Sequence, residues 1–282
     1  MRKCTFCTII TADYLPFART LWESLMTIDK NIELYVLVCD SKTRTKESNL
    51  IFLNIDDLAK DSRCQRLLEK YGITDEFRWS MKPILMSFLL NQCCEKIIYV
   101  DSDIHFYNDF TFLFSELDAF KIIITPHWRS YDPKKDSNNF EKNFNEGLYN
   151  AGFIGANKNS LDLLDTLFEM CFYKCEKNRN LSLYDDQKYF DLLPLLDEHV
   201  KIIRHKGCNV AEWNMVECPR SLINGEVIIS GKYPIIFIHF VTYTIKRALN
   251  GEDSLLEPYV KSYRDLIMKY HPKKLDIIKN VT

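Results

Sequence analysis

The sequence lacks any apolar run long enough to cross a bilayer, and this absence narrows the possibilities before any motif is considered. The amino-terminal apolar stretch turns polar at Asp13, too short for a secretory hydrophobic region or a membrane span, and no later stretch approaches that length. The expectation is a protein made and kept in the cytoplasm. A dominant charge is missing as well. The 37 basic and 39 acidic residues nearly cancel and are interspersed, so there is no long-range field to gather DNA or RNA, and no nucleic-acid partner is expected. Internal repeats and low-complexity linkers are absent too, which favours one continuous domain over an array.

Cysteine is not scarce, but its spacing excludes the usual metal and redox frameworks. Cys4 and Cys7 have C-x-x-C spacing inside an apolar β-rich run, where residues three apart face opposite ways and cannot chelate together. Cys171 and Cys175 stand one helical turn apart, and Cys93 and Cys94 close an apolar helix. Neither group has a second pair at zinc-site distance. Reduced thiols buried in a core are the reading that remains.

What is present is a chain 46% hydrophobic, enough for a large core. Apolar runs at residues 4–11, 33–39, 50–54 and 96–100 read as strands, and segments 16–26, 61–71 and 82–94 as helices between them. Continuous apolar strands separated by helices predict an α/β fold, with a mostly parallel, Rossmann-like sheet flanked by helices. Ligands in such sheets collect beyond the carboxyl ends of the strands. Asp13, Asp40 and the Asp101-Ser102-Asp103 triplet all follow strands, so one edge is expected to be acidic.

The second half predicts a strand at 122–125, a solvated loop or lid at 130–146, and helices at 160–176 and near 184–193. A buried strand at 233–238 ends in His239. Over the last thirty residues, Leu255, Leu256, Tyr259, Val260, Tyr263, Leu266, Ile267 and Tyr270 form one helical stripe. This gives a catalytic domain at 1–250 and a helical extension at 251–282, packed on the domain or lying on a membrane surface.

A D-x-D triplet is common by chance, so its weight comes from position. Asp101 and Asp103 emerge from an apolar strand, and alternation places both carboxylates on one side, where a hard cation can meet them. His239 ends a second buried strand. Two carboxylates and an imidazole suit Mn²⁺, tolerate Mg²⁺ and leave coordination positions open. His105, His127, His199, His205 and His271 have no spacing that suggests a joint site, while Trp79, Trp128 and Trp213 are amphipathic aromatics available to stack on a ligand.

Thr11-Ala12-Asp13, the strand ending in Asp101-Ser102-Asp103, Asn150-Ala151-Gly152, Asp186-Gln187 and His239 resemble, in order, the motifs of GT-A-fold glycosyltransferases. They are most similar to glycosyltransferase family 8 and related bacterial surface-polysaccharide enzymes. The resemblance implies metal ligation by Asp101, Asp103 and His239, and base and ribose contacts at Thr11, Ala12 and Asp13. It places Arg78 and Lys82 toward the sugar nucleotide together with Asp101 and Ser102, Asn150, Ala151 and Gly152 along the donor sugar, and Asp186 and Gln187 near the anomeric carbon.

Two departures stand out. The glycine that follows the family's histidine is replaced in His239-Phe240-Val241, with Lys246 or Arg247 left to meet phosphate, and Lys188 occupies the position of a third carboxylate. Residues 207–214 resemble a stretch common in bacterial relatives. The implied activity is metal-dependent, retaining transfer of a hexose from a nucleotide diphosphate sugar, with UDP the expected nucleotide, to a glycan or lipid-linked acceptor. If an inverting enzyme, it would need Asp185, Asp186 or Glu212 as base. The rival readings are an inactive nucleotide-sugar-binding module and a sugar nucleotidyltransferase. The second would carry a glycine-rich phosphate loop after the first strand, and no glycine lies in residues 11–16.

Overall fold

The structure is a computed structural model describing residues 2–43 and 47–270. The strands are β1 (Arg2–Ile10), β2 (Leu34–Val38), β3 (Leu50–Asn54), β4 (Cys94–Val100), β5 (Ile104–Phe106), β6 (Ile122–Pro126) and β7 (Tyr149–Asn157). Shorter strands follow: β8 (Lys177–Asn178), β9 (Leu183–Tyr184), β10 (Val200–Ile202), β11 (Arg220–Ile223), β12 (Glu226–Ile229), β13 (Tyr233–Pro234) and β14 (Phe237–His239). The helices are α1 (Leu15–Ile28), α2 (Ser62–Tyr71), α3 (Asp75–Ser80), α4 (Lys82–Gln92), α5 (Thr111–Ala119), α6 (Ser137–Asn145), α7 (Leu161–Tyr173), α8 (Leu193–Leu196), α9 (Thr242–Leu249) and α10 (Glu257–Tyr270).

A seven-stranded sheet in the order β10-β6-β7-β4-β1-β2-β3 forms the centre. Strands β1 to β4 run parallel, as does the β6–β10 pair. The expected mostly parallel α/β architecture is therefore present, with β7 antiparallel to both β4 and β6. Alternation explains the two-sided core. Cys7, Ile97 and Tyr99 point to the face covered by α4 and α7, where Leu85, Leu89, Leu164 and Phe168 meet them. Phe6, Ile98 and Val100 point to the other face, under Leu21 and Leu25 of α1 and Leu113 of α5. The same alternation separates Cys4 from Cys7. No disulfide is formed among the described residues, and all ten cysteines but Cys4 and Cys93 are buried.

The structure departs from the sequence reading at three places. Residues 130–146 are not only loop: Asp136 accepts the Asn139 amide at 3.0 Å and caps α6, a polar helix whose weak apolar pattern hid it. The helix expected near 184–193 is broken. Asp185 has a φ of 45°, and regular α-helix starts only at α8, next to Pro194, after a 3₁₀ segment at Gln187–Leu192. The strand expected over 233–238 is split. β13 pairs with β12, and the chain then crosses to pair β14 with β5, outside the central sheet.

The carboxy-terminal stripe does pack on the domain. Leu256, Val260, Tyr263 and Ile267 are buried in one cluster with Phe17, Val210, Phe240 and Ile245. His271 and the rest of the predicted extension lie outside the described residues. Among the described residues no helix is long and apolar enough to cross a membrane.

Tyr263 is fully buried, its ring stacked on Phe240 with centroids 4.0 Å apart, while its hydroxyl has no hydrogen-bond partner. Tyr263→Ala is expected to cost about 3–5 kcal/mol. Tyr263→Phe is expected to leave stability equal or higher, because it removes a buried unpaired hydroxyl. Urea denaturation of the two variants checks both signs.

Candidate active site

The end of β4 and the middle of β7 build the site together. The Asp101 amide donates to the Gly152 carbonyl at 2.9 Å, which continues the β4–β7 ladder one residue past Val100–Phe153 and sets Asp101 beside residues 150–152. Tyr99 holds the Asp101 carboxylate through a 2.8 Å hydrogen bond from its hydroxyl. A turn after Asp101 leads into β5, and β5 pairs with β14 so that Ile104 lies opposite His239. The Phe240 amide also donates to the Asp103 carbonyl at 2.9 Å. These backbone contacts bring His239 Nε2 to 3.0 Å from Asp103 Oδ1 and 3.9 Å from Asp101 Oδ2.

One ligand atom from each of Asp101, Asp103 and His239 lies within 4.8 Å of the others. Burial alone would depress the His239 imidazole, but the carboxylates of Asp103 and Asp101 outweigh it and hold it above its ordinary value. Burial likewise pushes Asp103 up, and His239 more than reverses this, so its carboxyl sits below its ordinary value. The result is an imidazolium–carboxylate ion pair at the point where a divalent cation would replace the proton. The donor set of two carboxylates and one imidazole fits such a cation.

Residues 150–152 and 207–214 orient the cluster. Asn150 accepts from the Gly152 amide at 2.6 Å and donates to Asn209 Oδ1 at 2.7 Å, and its Nδ2 lies 3.0 Å from His239 Nδ1. Asn209, in the left-handed region at φ 63°, belongs to a segment that runs beside β14: Val210 donates to Phe237 and accepts from His239. This gives residues 207–214 a positioning role. Gly152 is needed for space. A Cβ there would meet His239 Cε1 at 2.6 Å and Asp101 Oδ2 at 2.9 Å.

A cavity of about 610 Å³ opens over the cluster. Asp101, Asp103 and His239 line it together with Lys82, Asn150, Ala151, Gly152, Asp186 and Gln187. Lys82 is buried, donating to Asp186 at 2.6 Å and to the Ala151 carbonyl at 2.7 Å, over the Tyr99 ring. Burial would lower its ammonium, yet Asp186 and Asp101 hold it above its ordinary value. Gln187 donates to the Glu146 carbonyl at 2.7 Å and turns its oxygen to the Ala151 amide at 3.4 Å. Burial, with the charge of Asp186 next, pushes the Asp185 carboxyl up to about 7.

A smaller neighbouring cavity, about 310 Å³, is lined by Tyr14, Arg78, Trp79 and Ser102 on the other side of Asp101 and Asp103. Thr11, Ala12 and Asp13 sit at the end of β1, where the Thr11 hydroxyl donates to Asp13 and the Ala12 amide donates to Asp40 at 2.8 Å, but they line neither cavity. Lys246 lines neither as well; Arg247, one residue on, lines the larger one. Of the three indoles, Trp79 and Trp213 line the larger cavity and Trp128 does not.

Sequence reasoning missed Arg129, Glu146 and Arg179, all lining residues. Glu146 accepts from Arg129 at 2.8 Å and from Arg179 at 3.2 Å, an array drawn from the segment after β6, the residue that ends α6 and the β8–β9 turn. Segments this far apart share no spacing signal, although a polar run that ends in a buried Glu beside Gly147 is a trace of it.

No protein-family model matches the chain. It is 26% identical to the uncharacterized protein YfnF of Bacillus subtilis over 253 residues, 85% of this chain and 82% of that protein. The solved structure of the galactosyltransferase LgtC, with donor and acceptor sugar analogues, superimposes with a TM-score of 0.53 at 16% identity, over 94% of this chain and 95% of that one. Mouse xyloside xylosyltransferase 1 gives 0.52 at 13% identity, over 86% and 98%. The chain has the GT-A fold. In the GT-A frame, the cluster at the end of β4 lies at the carboxyl edge of the parallel strands, where ligand sites of open α/β sheets form.

Two predictions arise from this geometry. Gly152→Ala is expected to weaken Mn²⁺ binding at least about tenfold, since the added methyl displaces His239 and Asp101, while circular dichroism stays native. Mn²⁺ titration followed by electron paramagnetic resonance measures it. Asp185 retains its proton in the native state up to about pH 7, whereas the unfolded chain loses it near pH 4. Native stability therefore falls as pH rises across that window. Asp185→Asn removes this slope, so its melting temperature relative to wild type is expected to rise from pH 4 to pH 7.

Proposed function

We propose that this protein is a metal-dependent glycosyltransferase that moves a hexose from a UDP-sugar to a glycan or lipid-linked acceptor. The observation that carries the reading is the convergence of Asp101, Asp103 and His239 at the floor of a cavity that also holds Lys82, Asp186 and Gln187. LgtC, which shares the fold, was solved with donor and acceptor sugar analogues, and this supports the same ligand classes here. The cation at the cluster, Mn²⁺ or Mg²⁺, would supply Lewis-acid stabilisation of the diphosphate charge.

The remaining chemistry falls to the chain. The bond between the anomeric carbon and the diphosphate oxygen breaks with its electron pair staying on the diphosphate. The acceptor oxygen bonds to that carbon, and its proton passes to the departing diphosphate. Arg247, with Lys246 beside it, is the cation assigned to the phosphates, because Lys82 is committed to Asp186. Lys82 instead holds Asp186 in place, and Gln187, fixed by the Glu146 carbonyl and the Ala151 amide, faces the transferred sugar. Arg78, Ser102 and the Thr11-Ala12-Asp13 turn are assigned to the nucleoside.

Each carboxylate available as an inverting base is already engaged. Asp186 pairs with Lys82, Glu212 accepts from Thr244 at 2.9 Å, and Asp185 accepts the Gln187 amide at 2.9 Å. This supports retention of configuration. Among the described residues no helix is long and apolar enough to cross a membrane, and the apolar stripe of α10 that would have met a membrane surface is packed on the domain instead.

UDP is expected to bind in the presence of Mn²⁺, and UDP-hexoses to be slowly hydrolysed. Both are expected to be lost in excess chelator or in Asp103→Ala, as followed by calorimetry and UDP release. Metal-dependent UDP binding without any turnover would identify an inactive binding module instead. Tight UDP binding in chelator would remove the metal role of the cluster.

A further inference from the structure

The two cavities at the end of β4 share a wall. Asp101, Asp103 and Trp79 line both, so a ligand held by a cation at the cluster can extend into each. Among the described residues the cations lining the smaller cavity are Arg78 and Lys177. Arg78 is paired with Asp75. Lys82 and Arg247 line the larger cavity, and Lys246 lines neither. Lys177 is the cation to account for.

Local structure sets its position. In the β8–β9 hairpin Lys177 lies opposite Tyr184, and Ser182, left-handed at φ 51°, closes the turn with its amide donating to the Arg179 carbonyl at 3.1 Å. The Lys177 ammonium sits 4.9 Å from the Tyr184 ring centroid and 4.8 Å from that of Trp79 on α3. Two rings attract a cation without cancelling its charge. Asp185 Oδ2, at 3.6 Å, is beyond hydrogen-bond length. The Lys177 side chain keeps 48% of its surface open, so it reaches solvent beside the metal cluster with its three donors available. Arg179, in the turn of the same hairpin, lines the larger cavity and pairs with Glu146. The hairpin therefore spans the junction of the two cavities.

The class of anion follows from this layout. Asp101 and Asp103 repel an anion in the smaller cavity until a divalent cation balances them, so the ligand must bind that cation as well. A single carboxylate occupies one side of the cluster. A diphosphate bridges it, with one phosphate on the side of Lys177 and the other toward Arg247.

We propose that Lys177 binds the phosphate nearer the nucleoside, which makes the β8–β9 hairpin part of the nucleotide site. The assignment rests on the glycosyltransferase reading and adds to it a phosphate ligand from an element outside the sequence motifs.

The test uses the full-length protein with Mn²⁺ and measures UDP affinity by calorimetry. Lys177→Met keeps most of the stem between the rings and loses the charge. It is expected to raise the UDP Kd about tenfold, and Lys177→Arg to return it to within about twofold of wild type. The gap between Lys177→Met and wild type is expected to narrow as salt is raised from about 0.01 to about 1 M, a signature of lost charge that lost packing would not give. Mn²⁺ affinity without nucleotide, read by electron paramagnetic resonance, is expected to be the same in all three proteins. The assignment is overturned if Lys177→Met binds UDP as wild type does, or if its Mn²⁺ affinity falls by the same factor as its UDP affinity. Failure of wild type to bind UDP with Mn²⁺ would instead remove the glycosyltransferase reading. Pyrophosphate with Mn²⁺ would then decide Lys177 by the same variants: a loss of about tenfold in Lys177→Met keeps it as a phosphate ligand, and no loss, or no binding by wild type, removes it.

Discussion

The site depends on how closely β7 can approach the end of β4. The Asp101 amide and the Gly152 carbonyl are hydrogen-bonded at 2.9 Å, and the Gly152 α-carbon lies where a methyl group would collide with both Asp101 and His239. Only glycine leaves that volume free, so the antiparallel strand can deliver its backbone into a space already occupied by two would-be ligands. With this contact made, Asn150 is placed to bridge Asn209 and His239, and Ala151 presents its carbonyl to Lys82. A single steric allowance thus couples the metal cluster, the amide bridge and the buried ion pair.

Buried charge around this contact is arranged in pairs rather than left open. Lys82 meets Asp186 and Arg129 meets Glu146 with little solvent to screen them, while the buried His239 meets Asp103, whose side chain stays partly open to the cavity. Ion pairs at such depth offset their own desolvation only when geometry and further hydrogen bonds are good, so they are weak evidence of stability. They do fix direction. Each holds a loop or strand end against its neighbour, and the cavity wall is made of groups whose orientations are already set. Preorganised dipoles and charges of this kind act without reorganising when charge develops on a leaving group.

Much of the frame could be read from residue patterns. The apolar runs of β1, β2, β3 and β4 alternate onto two covered faces, and the helices between them follow from periodicity. Asp101, Asp103, His239, Asn150 and Gln187 were visible as an ordered set of motifs, and the structure brings them into one cavity. The failures have local causes. α6 carries only Phe140 and Phe144 as apolar residues, too few to mark a stripe, and the left-handed residue Asp185 interrupts what looked like a helix. Pro234 lies where a single apolar run divides between two sheets. Lys246 and Arg247 differ by one position on α9, and a one-residue step turns a helical side chain by about 100°, which decides which of them reaches the cavity.

The sequence by itself determined the layers: strand period, helix period and hydrophobicity are local properties, and each residue carries its own share of them. It also determined that two carboxylates would leave the end of a buried strand on the same side. The tertiary structure alone decided that β7 runs antiparallel beside β4 and that β14 leaves the main sheet to pair with β5. It also assembled Arg129, Asn139, Glu146 and Trp213 into one wall, although they come from separate elements. Such juxtapositions depend on contacts between residues tens to more than a hundred positions apart, and no short-range pattern encodes those distances.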